Sequence, residues 1–285
     1  MPGIINWDEL WKATHAGGFH HHGKDLAAHW DSRAEVFNKR VMKNKARSNS
    51  QVALLGLTSS ETVLDVGAGT GRLALPMARL TKSVTALDQS AGMLSCLREN
   101  MATEGIDNIR CIQKSWQDVA EGELEPHDVV LSSNSLGVYD LKEALSKMDA
   151  LAKRAVYIFT FSDGKRDDGF RQFLREGKEG GKGGHGRRGG HEAGPAGYLV
   201  IYNLLADMGI LADIKFMNWQ SDEHYTSLDE AVAEWKQMHE VPDEKEPGLR
   251  EFLSLRLVKD EKGLCMHRGH KQVLISWQKG GALLA

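Results

Sequence analysis

The chain predicts a doubly wound α/β fold: a mostly parallel, seven-stranded sheet with helices on both faces, N-terminal helices and a helical cap insertion. Three observations carry that expectation. Short β-branched runs alternate with stretches of helical periodicity between residues 63 and 161, the pattern of strands joined by helical crossovers. Val63-Leu64-Asp65-Val66 runs directly into Gly67-Ala68-Gly69-Thr70-Gly71, a buried strand ending in a glycine turn. The next apolar run, Val84 to Leu87, ends in Asp88, 17 residues beyond Gly71, where a second parallel strand would offer a carboxylate to a ribose.

Bulk properties narrow the class. With 285 residues, 41% hydrophobic and 26% charged, a sizeable core forms without disulfides or metal. A net charge of −3 gives no global case for nucleic acid or an anionic membrane. Cys96, Cys111 and Cys265 are widely spaced and odd in number, as expected of reduced thiols in a cytoplasmic protein. No run approaches the ~20 apolar residues that span a bilayer, and the N-terminus lacks the pattern of a signal peptide.

Taken in order, residues 1–50 read as a polar helical cap, with Trp7, Leu10 and Trp11 at helical spacing. His20, His21 and His22 are consecutive and glycine-flanked, so they cannot all face one ion, and no metal site is expected. The core domain is placed at 51–279, followed by a tail at 280–285. From Leu73 to Leu80 the spacing suits a short helix. Ser90 is a candidate N-cap for a helix carrying Met93, Leu94, Leu97 and Met101. Further strands are expected at Ile109–Gln113, Asp128–Leu131 and Ala155–Phe161, with a helix over Leu141–Leu151 between the last two. Residues 177–197 hold ten glycines in 21 positions, with Lys178, Lys182, Arg187 and Arg188 among them. Such a stretch builds no core; it is an insertion or lid, or a basic arm for an anionic partner. Beyond it come a helix from Tyr198 to Gly209, a strand over Ala212–Trp219, helices at Leu228–Met238 and Leu249–Val258, and a strand at Lys271–Trp277. The helical insertion at 221–265 is expected to cap an acceptor pocket.

The glycine turn allows a ligand to approach bare backbone and turns free helix N–H groups toward it. A dinucleotide turn would read G-x-G-x-x-G; here the spacing is G-x-G-x-G, and Asp65 stands two residues before the first glycine. That carboxylate opposes a diphosphate and suits a ligand with positive centres. The segment D-V-G-A-G-T-G followed by A-L-D-Q-S resembles the class I S-adenosylmethionine-dependent methyltransferases, and a weaker resemblance extends over residues 25–279. What the resemblance implies is as follows. Asp65, Gly67, Ala68, Gly69 and Gly71 lie around the methionine part of the cofactor, Asp88 with Gln89 takes the ribose, and Met93 faces the adenine. Ser115 and Trp116 occupy the positions where the family commonly has an adenine-binding aspartate and a bulky neighbour. Serine there is a departure, and Asp118 is the alternative source of that contact.

His29-Trp30-Asp31-Ser32-Arg33-Ala34-Glu35-Val36-Phe37 is similar to the approach helix of small members of the family. Trp30, Arg33 and Phe37 therefore either line the cofactor pocket or pack as an amphipathic cap. After the fourth strand, Ser132-Ser133-Asn134-Ser135-Leu136 should stand beside the transferable methyl group. It lacks the prolines usual in enzymes that methylate base amines. Asn134, Tyr198 and His191 are the candidates on the acceptor side. The expected activity is methyl transfer from S-adenosylmethionine, leaving S-adenosylhomocysteine, to a small-molecule acceptor. RNA or protein as acceptor, a nicotinamide-dependent reductase and a non-catalytic cofactor-binding subunit remain as alternatives. The oligomeric state is not legible.

Overall fold

A parallel pair at the centre sets the frame. In the computed structural model, which describes residues 4–19, 26–43, 45–162, 197–239 and 241–280, β1 (Thr62–Val66) lies between β2 (Ser83–Asp88) and β4 (His127–Ser133), parallel to both. The sheet order is β3-β2-β1-β4-β5-β8-β6, with β3 at Ile109–Gln113, β5 at Ala152–Phe161, β6 at Asp213–Tyr225 and β8 at Gly263–Gln278. Strands β1 to β5 pair in parallel, and β8 runs antiparallel to β5 from Ala155↔Gln278 to Phe161↔Gln272. The strand order reverses between β1 and β4, so the loops that follow these two strands flank the crevice where doubly wound sheets bind ligands.

Local sequence explains most elements. The central strands are apolar on both sides because helices cover both faces: Val63, Leu64, Val129, Val130, Val156 and Phe159 are fully buried. Helix α5 is short (Ala74–Ala78), α6 spans Ala91–Glu104 and α7 spans Leu141–Leu151. Ser90 caps α6, its Oγ accepting from the Met93 N–H at 3.0 Å, and Gly105 ends it at φ 63°. Asp140 caps α7 by accepting from the Glu143 N–H at 2.8 Å. N-terminal to the sheet, α1 (Trp7–Phe19), α2 (Leu26–Asp31), α3 (Ala34–Met42) and α4 (Lys45–Ala53) form the expected helices. Trp11 joins the main core and donates its indole N–H to the Val138 carbonyl at 2.8 Å. Helix α8 (Gly197–Asp207) packs Val200, Ile201, Leu204 and Leu205 into the same core.

The chain forms two compact units. Of the described residues, the larger contains those up to 162, 197–217 and 271–280; the smaller contains 218–239 and 241–270. The smaller unit has its own core, in which Tyr225, Trp235, Leu249, Phe252, Leu253 and Met266 are buried. Its helices are α9 (Leu228–His239) and α10 (Glu246–Ser254). Three expectations are corrected here. The first helix after the glycine turn was expected to reach Leu80, but it ends at Ala78, and Leu80 is 47% exposed. The helix expected to run to Val258 stops at Ser254. Val258–Asp260 forms β7 instead, pairing with β8 from Val258↔Cys265 to Asp260↔Gly263, a hairpin that suits β-branched Val258. The stretch 221–265 is thus not wholly helical, because β6 runs on to Tyr225 and β8 begins at Gly263. No helix among the described residues is long and apolar enough to cross a membrane. His20–His22, His185, His191 and nearly all of the 177–197 insertion lie outside the described residues.

Candidate active site

The glycine turn is built from the strand ends upward. Gly67, Gly69 and Gly71 all have positive φ (73°, 57° and 87°), a conformation L-residues with side chains seldom take. At Gly67 a Cβ would lie 2.2 Å from the Ser135 Cβ, and at Gly71 one would lie 2.2 Å from the Leu97 Cδ1. Beside Gly69 a Cβ would meet only the Phe37 ring edge, at 3.9 Å. The bare backbone expected from the sequence is therefore present, with space over Gly69 bounded by α3.

Four of the turn's five N–H groups are engaged within the protein. Gly67 and Ala68 donate to the Leu87 carbonyl at 2.8 and 3.0 Å, Gly71 to the Ala68 carbonyl at 3.1 Å, and Gly69 to the Asp88 Oδ2 at 2.8 Å. The five-residue helix α5 starts only at Ala74. A diphosphate needs such donors; here the protein has taken four of them.

Asp88 stands at the carboxyl end of β2. Its Oδ1 accepts from the Ser90 N–H at 2.9 Å while Oδ2 holds Gly69. A carboxylate offers about four acceptor positions, so two backbone bonds leave capacity for ribose hydroxyls. Burial raises its pKa, opposed by the two backbone N–H bonds and aided by nearby Asp31. Asp65 is buried, and burial pushes its carboxyl up to about 7, with Arg72 pulling it down and Asp88 pushing it further up. Burial lowers Arg72 to about 10, against the opposing pull of Asp65. Its guanidinium donates to the Gln51 Oε1, to the Ser48 Oγ at 3.4 Å and to the Ser133 Oγ at 3.0 Å.

Across the crevice, Ser135 Oγ donates to the Val66 carbonyl at 2.6 Å and lies 2.8 Å from the Ser132 Oγ. Asn134 holds φ 55°, an unusual value for a residue with a side chain, and its N–H donates to the Phe159 carbonyl at 2.8 Å. Its side chain is exposed. The end of β4 is thus fixed to both neighbouring strands, with Asn134 turned outward at the switch point.

The approach helices dock on α6. Trp30 and Phe37 pack with Ala34, Met93 and Cys96, the two rings standing edge to face at 5.8 Å. Arg33 is buried; it donates to the His29 carbonyl at 3.1 Å and meets the His29 Nδ1 at 2.7 Å. Asp31 is the residue that sequence reading missed. Its Oδ1 accepts from the Ser90 Oγ at 2.5 Å and the Gly92 N–H at 2.8 Å, which ties α2 to the N-terminus of α6. The pattern Ser90-x-Gly92 is the only local hint, since a Cβ on Gly92 would lie 3.1 Å from the Asp31 Cα.

The remaining candidates lie as follows. Gln89 is half-buried beside Asp88, and Ser115 is half-buried ahead of the 3-10 turn Trp116–Asp118. Trp116 is buried in the main core, its indole N–H donating to the Ala144 carbonyl at 3.4 Å. Asp118 is exposed. Tyr198 packs on the main core and stands edge to face with Phe216 at 5.5 Å.

A doubly wound sheet with an antiparallel β8 between β5 and β6, a glycine turn after β1 and an acid ending β2 has the arrangement of the class I methyltransferase fold. Residues 63–155 match the family model described as a methyltransferase domain. A Haemophilus influenzae protein of uncharacterized function is 29% identical over 253 residues, 87% of this chain and 88% of its own. The ubiquinone biosynthesis O-methyltransferase of Serratia proteamaculans is 36% identical over 101 residues, 35% of this chain, and the match spans 41% of that enzyme's length. A solved structure from Bacillus halodurans, assigned provisionally to the methyltransferases, superposes with a TM-score of 0.53 at 15% identity, covering 81% of this chain and 98% of that one. Residues 63–155 thus form a methyltransferase domain, and S-adenosylmethionine is its cofactor.

Proposed function

We propose that the enzyme methylates a small-molecule acceptor, with the cofactor held in the crevice between the β1 and β4 loops. The observation that carries this placement is the Asp88 carboxylate, which retains acceptor capacity beside a turn whose Gly67, Ala68, Gly69 and Gly71 N–H groups are already engaged. A nucleoside with a sulfonium and an ammonium fits that surface, and a diphosphate does not. The backbone at Gly67, Ala68, Gly69 and Gly71 would lie along the methionine part, with Asp65 setting the potential around its ammonium. Asp88 and Gln89 would take the ribose. Met93 would face the adenine, with Ser115 and Trp116 bordering it, while Trp30 and Arg33 would close over the methionine end and Ser132 would stand beside the methyl group.

The bound cofactor supplies a methyl group on a sulfonium that is already a good leaving group. The protein's remaining task is to hold the acceptor in line at ~3–3.5 Å and keep water out. Asn134, at its strained switch-point position, is the residue we assign to acceptor positioning, with Tyr198 and His191 as further candidates. A small acceptor is supported by the net charge of −3 and by the proline-free Ser132–Leu136 loop. The three free thiols fit a reducing, cytoplasmic compartment.

The test is methyl-labelled cofactor offered to metabolite, RNA and protein fractions of the native cell. Label entering the metabolite fraction is expected; label confined to RNA or protein would overturn the small-acceptor assignment. Lys182, Arg187 and Arg188 in the glycine-rich insertion favour RNA as a second reading. That reading requires tight, salt-sensitive RNA binding that depends on these three residues.

A further inference from the structure

Alternation along two strands of the smaller unit gathers its ligand-type side chains on one face. Residues two apart on a strand point the same way, so β6 brings Asp222 and His224 together and β8 brings Cys265 and His267. The two strands run antiparallel here: a Cβ on Gly263 would meet the Tyr225 carbonyl oxygen, and one on Gly269 the Trp219 carbonyl oxygen. Asp222 therefore faces His267, with its Oδ1 2.8 Å from the His267 Nδ1. The same ring nitrogen lies 3.8 Å from the Cys265 Sγ. One ligand atom each from Asp222, Cys265 and His267 fall within 4.8 Å of one another.

We propose that Asp222, Cys265 and His267 bind one borderline divalent cation, Zn²⁺ being the best match to a thiolate, an imidazole and a carboxylate. Ligands at ~2.3 Å (sulfur) and ~2.05 Å (nitrogen) in a tetrahedron stand ~3.6 Å apart, close to the 3.8 Å seen between Sγ and Nδ1. The Asp222–His267 pair must open by only ~0.5 Å to admit the ion. Cys265 is 1% exposed and forms the floor of the site, while the Asp222 and His267 side chains are 54% and 65% exposed. The ion thus enters from solvent and keeps a water in its fourth position.

Charge favours a cation. On binding, the thiol's proton leaves to solvent as the S–metal bond forms, and thiolate plus carboxylate balance the ion's two charges. His224 and Asp260 also lie within 4.8 Å of Cys265, but they are engaged with each other at 2.9 Å, and Lys262 N–H donates to the Asp260 Oδ1 at 2.8 Å. Asp260 comes from a hairpin edge rather than from β6 or β8. They form an outer pair, not the ligands. Asp222 and His267 are 45 residues apart on different strands, so only their pairing brings the ligands together.

The experiment uses the full chain carrying His20→Ala, His21→Ala and His22→Ala, which removes a rival imidazole cluster, after chelator treatment and dialysis. Titration with Co²⁺ should give one equivalent of a species with thiolate-to-cobalt charge-transfer absorption, displaced by Zn²⁺. Cys265→Ser should abolish that absorption, and Asp222→Asn and His267→Ala should each weaken Zn²⁺ binding by roughly tenfold or more. His224→Ala and Asp260→Asn, which pair with each other rather than with the three ligands, should weaken it by less than about tenfold, below the range for a ligand or its direct partner. Asp222 and His267 are exposed enough that their variants remain informative if Cys265→Ser does not fold. The absence of charge-transfer absorption in the parent chain would overturn the site. So would losses at His224 and Asp260 matching those at Asp222 and His267.

Discussion

Asp65 makes the cofactor site pH-sensitive in a direction that can be worked out beforehand. Burial raises its carboxyl to about 7 in the ligand-free protein. An ammonium brought close favours the carboxylate, so the ligand binds the ionised form. At pH 6 about 10% of Asp65 is ionised, at pH 7 about half, and at pH 8 about 90%. The dissociation constant for S-adenosylhomocysteine should therefore fall by roughly tenfold from pH 6 to pH 8, about 1.4 kcal/mol, and level off above. Binding at pH 6 should release close to one proton, because a mostly protonated acid must ionise. Calorimetry in two buffers of different ionisation enthalpy measures both quantities. Asp88 is also shifted upward, so Asp65→Asn is the control: it should bind more weakly at pH 8 and lose most of the pH dependence. A flat profile in the parent protein, or an unchanged slope in Asp65→Asn, would refute the role given to this carboxyl.

Asp88→Ala should weaken S-adenosylhomocysteine binding by about tenfold or more, since each hydrogen bond to a charged group is worth ~1.5–3 kcal/mol; equilibrium titration measures it. Gly67→Ala should cost about 2–4 kcal/mol in chemical denaturation, from its positive φ and the overlap with Ser135. Asp128 accepts from the Thr62 N–H at 2.8 Å and the Thr62 Oγ1 at 2.9 Å, and the backbone bond above all holds its pKa below the ordinary 3.8. A lowered acid stabilises the fold above its unfolded pKa and loses that contribution as pH falls through the folded value. Asp128→Asn should therefore cost about 1 kcal/mol near neutrality, a figure discounted for partial exposure. The difference should begin to shrink below pH ~4 and close as pH falls through the lowered folded value, as denaturation at several pH values would record.

Much of the frame was readable because its signals are local. The β3 boundaries follow from its apolar run, and the Ser90 cap follows from a serine set just before a helical period. What escaped depended on partners distant in sequence. That the Gly67, Ala68 and Gly69 N–H groups are consumed rests on the Leu87 carbonyl and on Asp88 curling back to Gly69, 19 residues away. Asp31 reads as an ordinary helix residue until its contacts with Ser90 and Gly92, 59 and 61 residues away, are seen. Val258 lay in a run with helical spacing, and only pairing with Cys265 makes it a strand.

The question beneath all of this is which ligand the turn accepts, and parallel titration of the full chain with S-adenosylhomocysteine and NADH answers it. S-adenosylhomocysteine should bind at one site and lose affinity in Asp88→Ala, while NADH should give no saturable heat because four of the turn's five N–H groups are already engaged and Asp65 opposes its diphosphate. Saturable NADH binding without S-adenosylhomocysteine binding would contradict the placement of the cofactor on this turn.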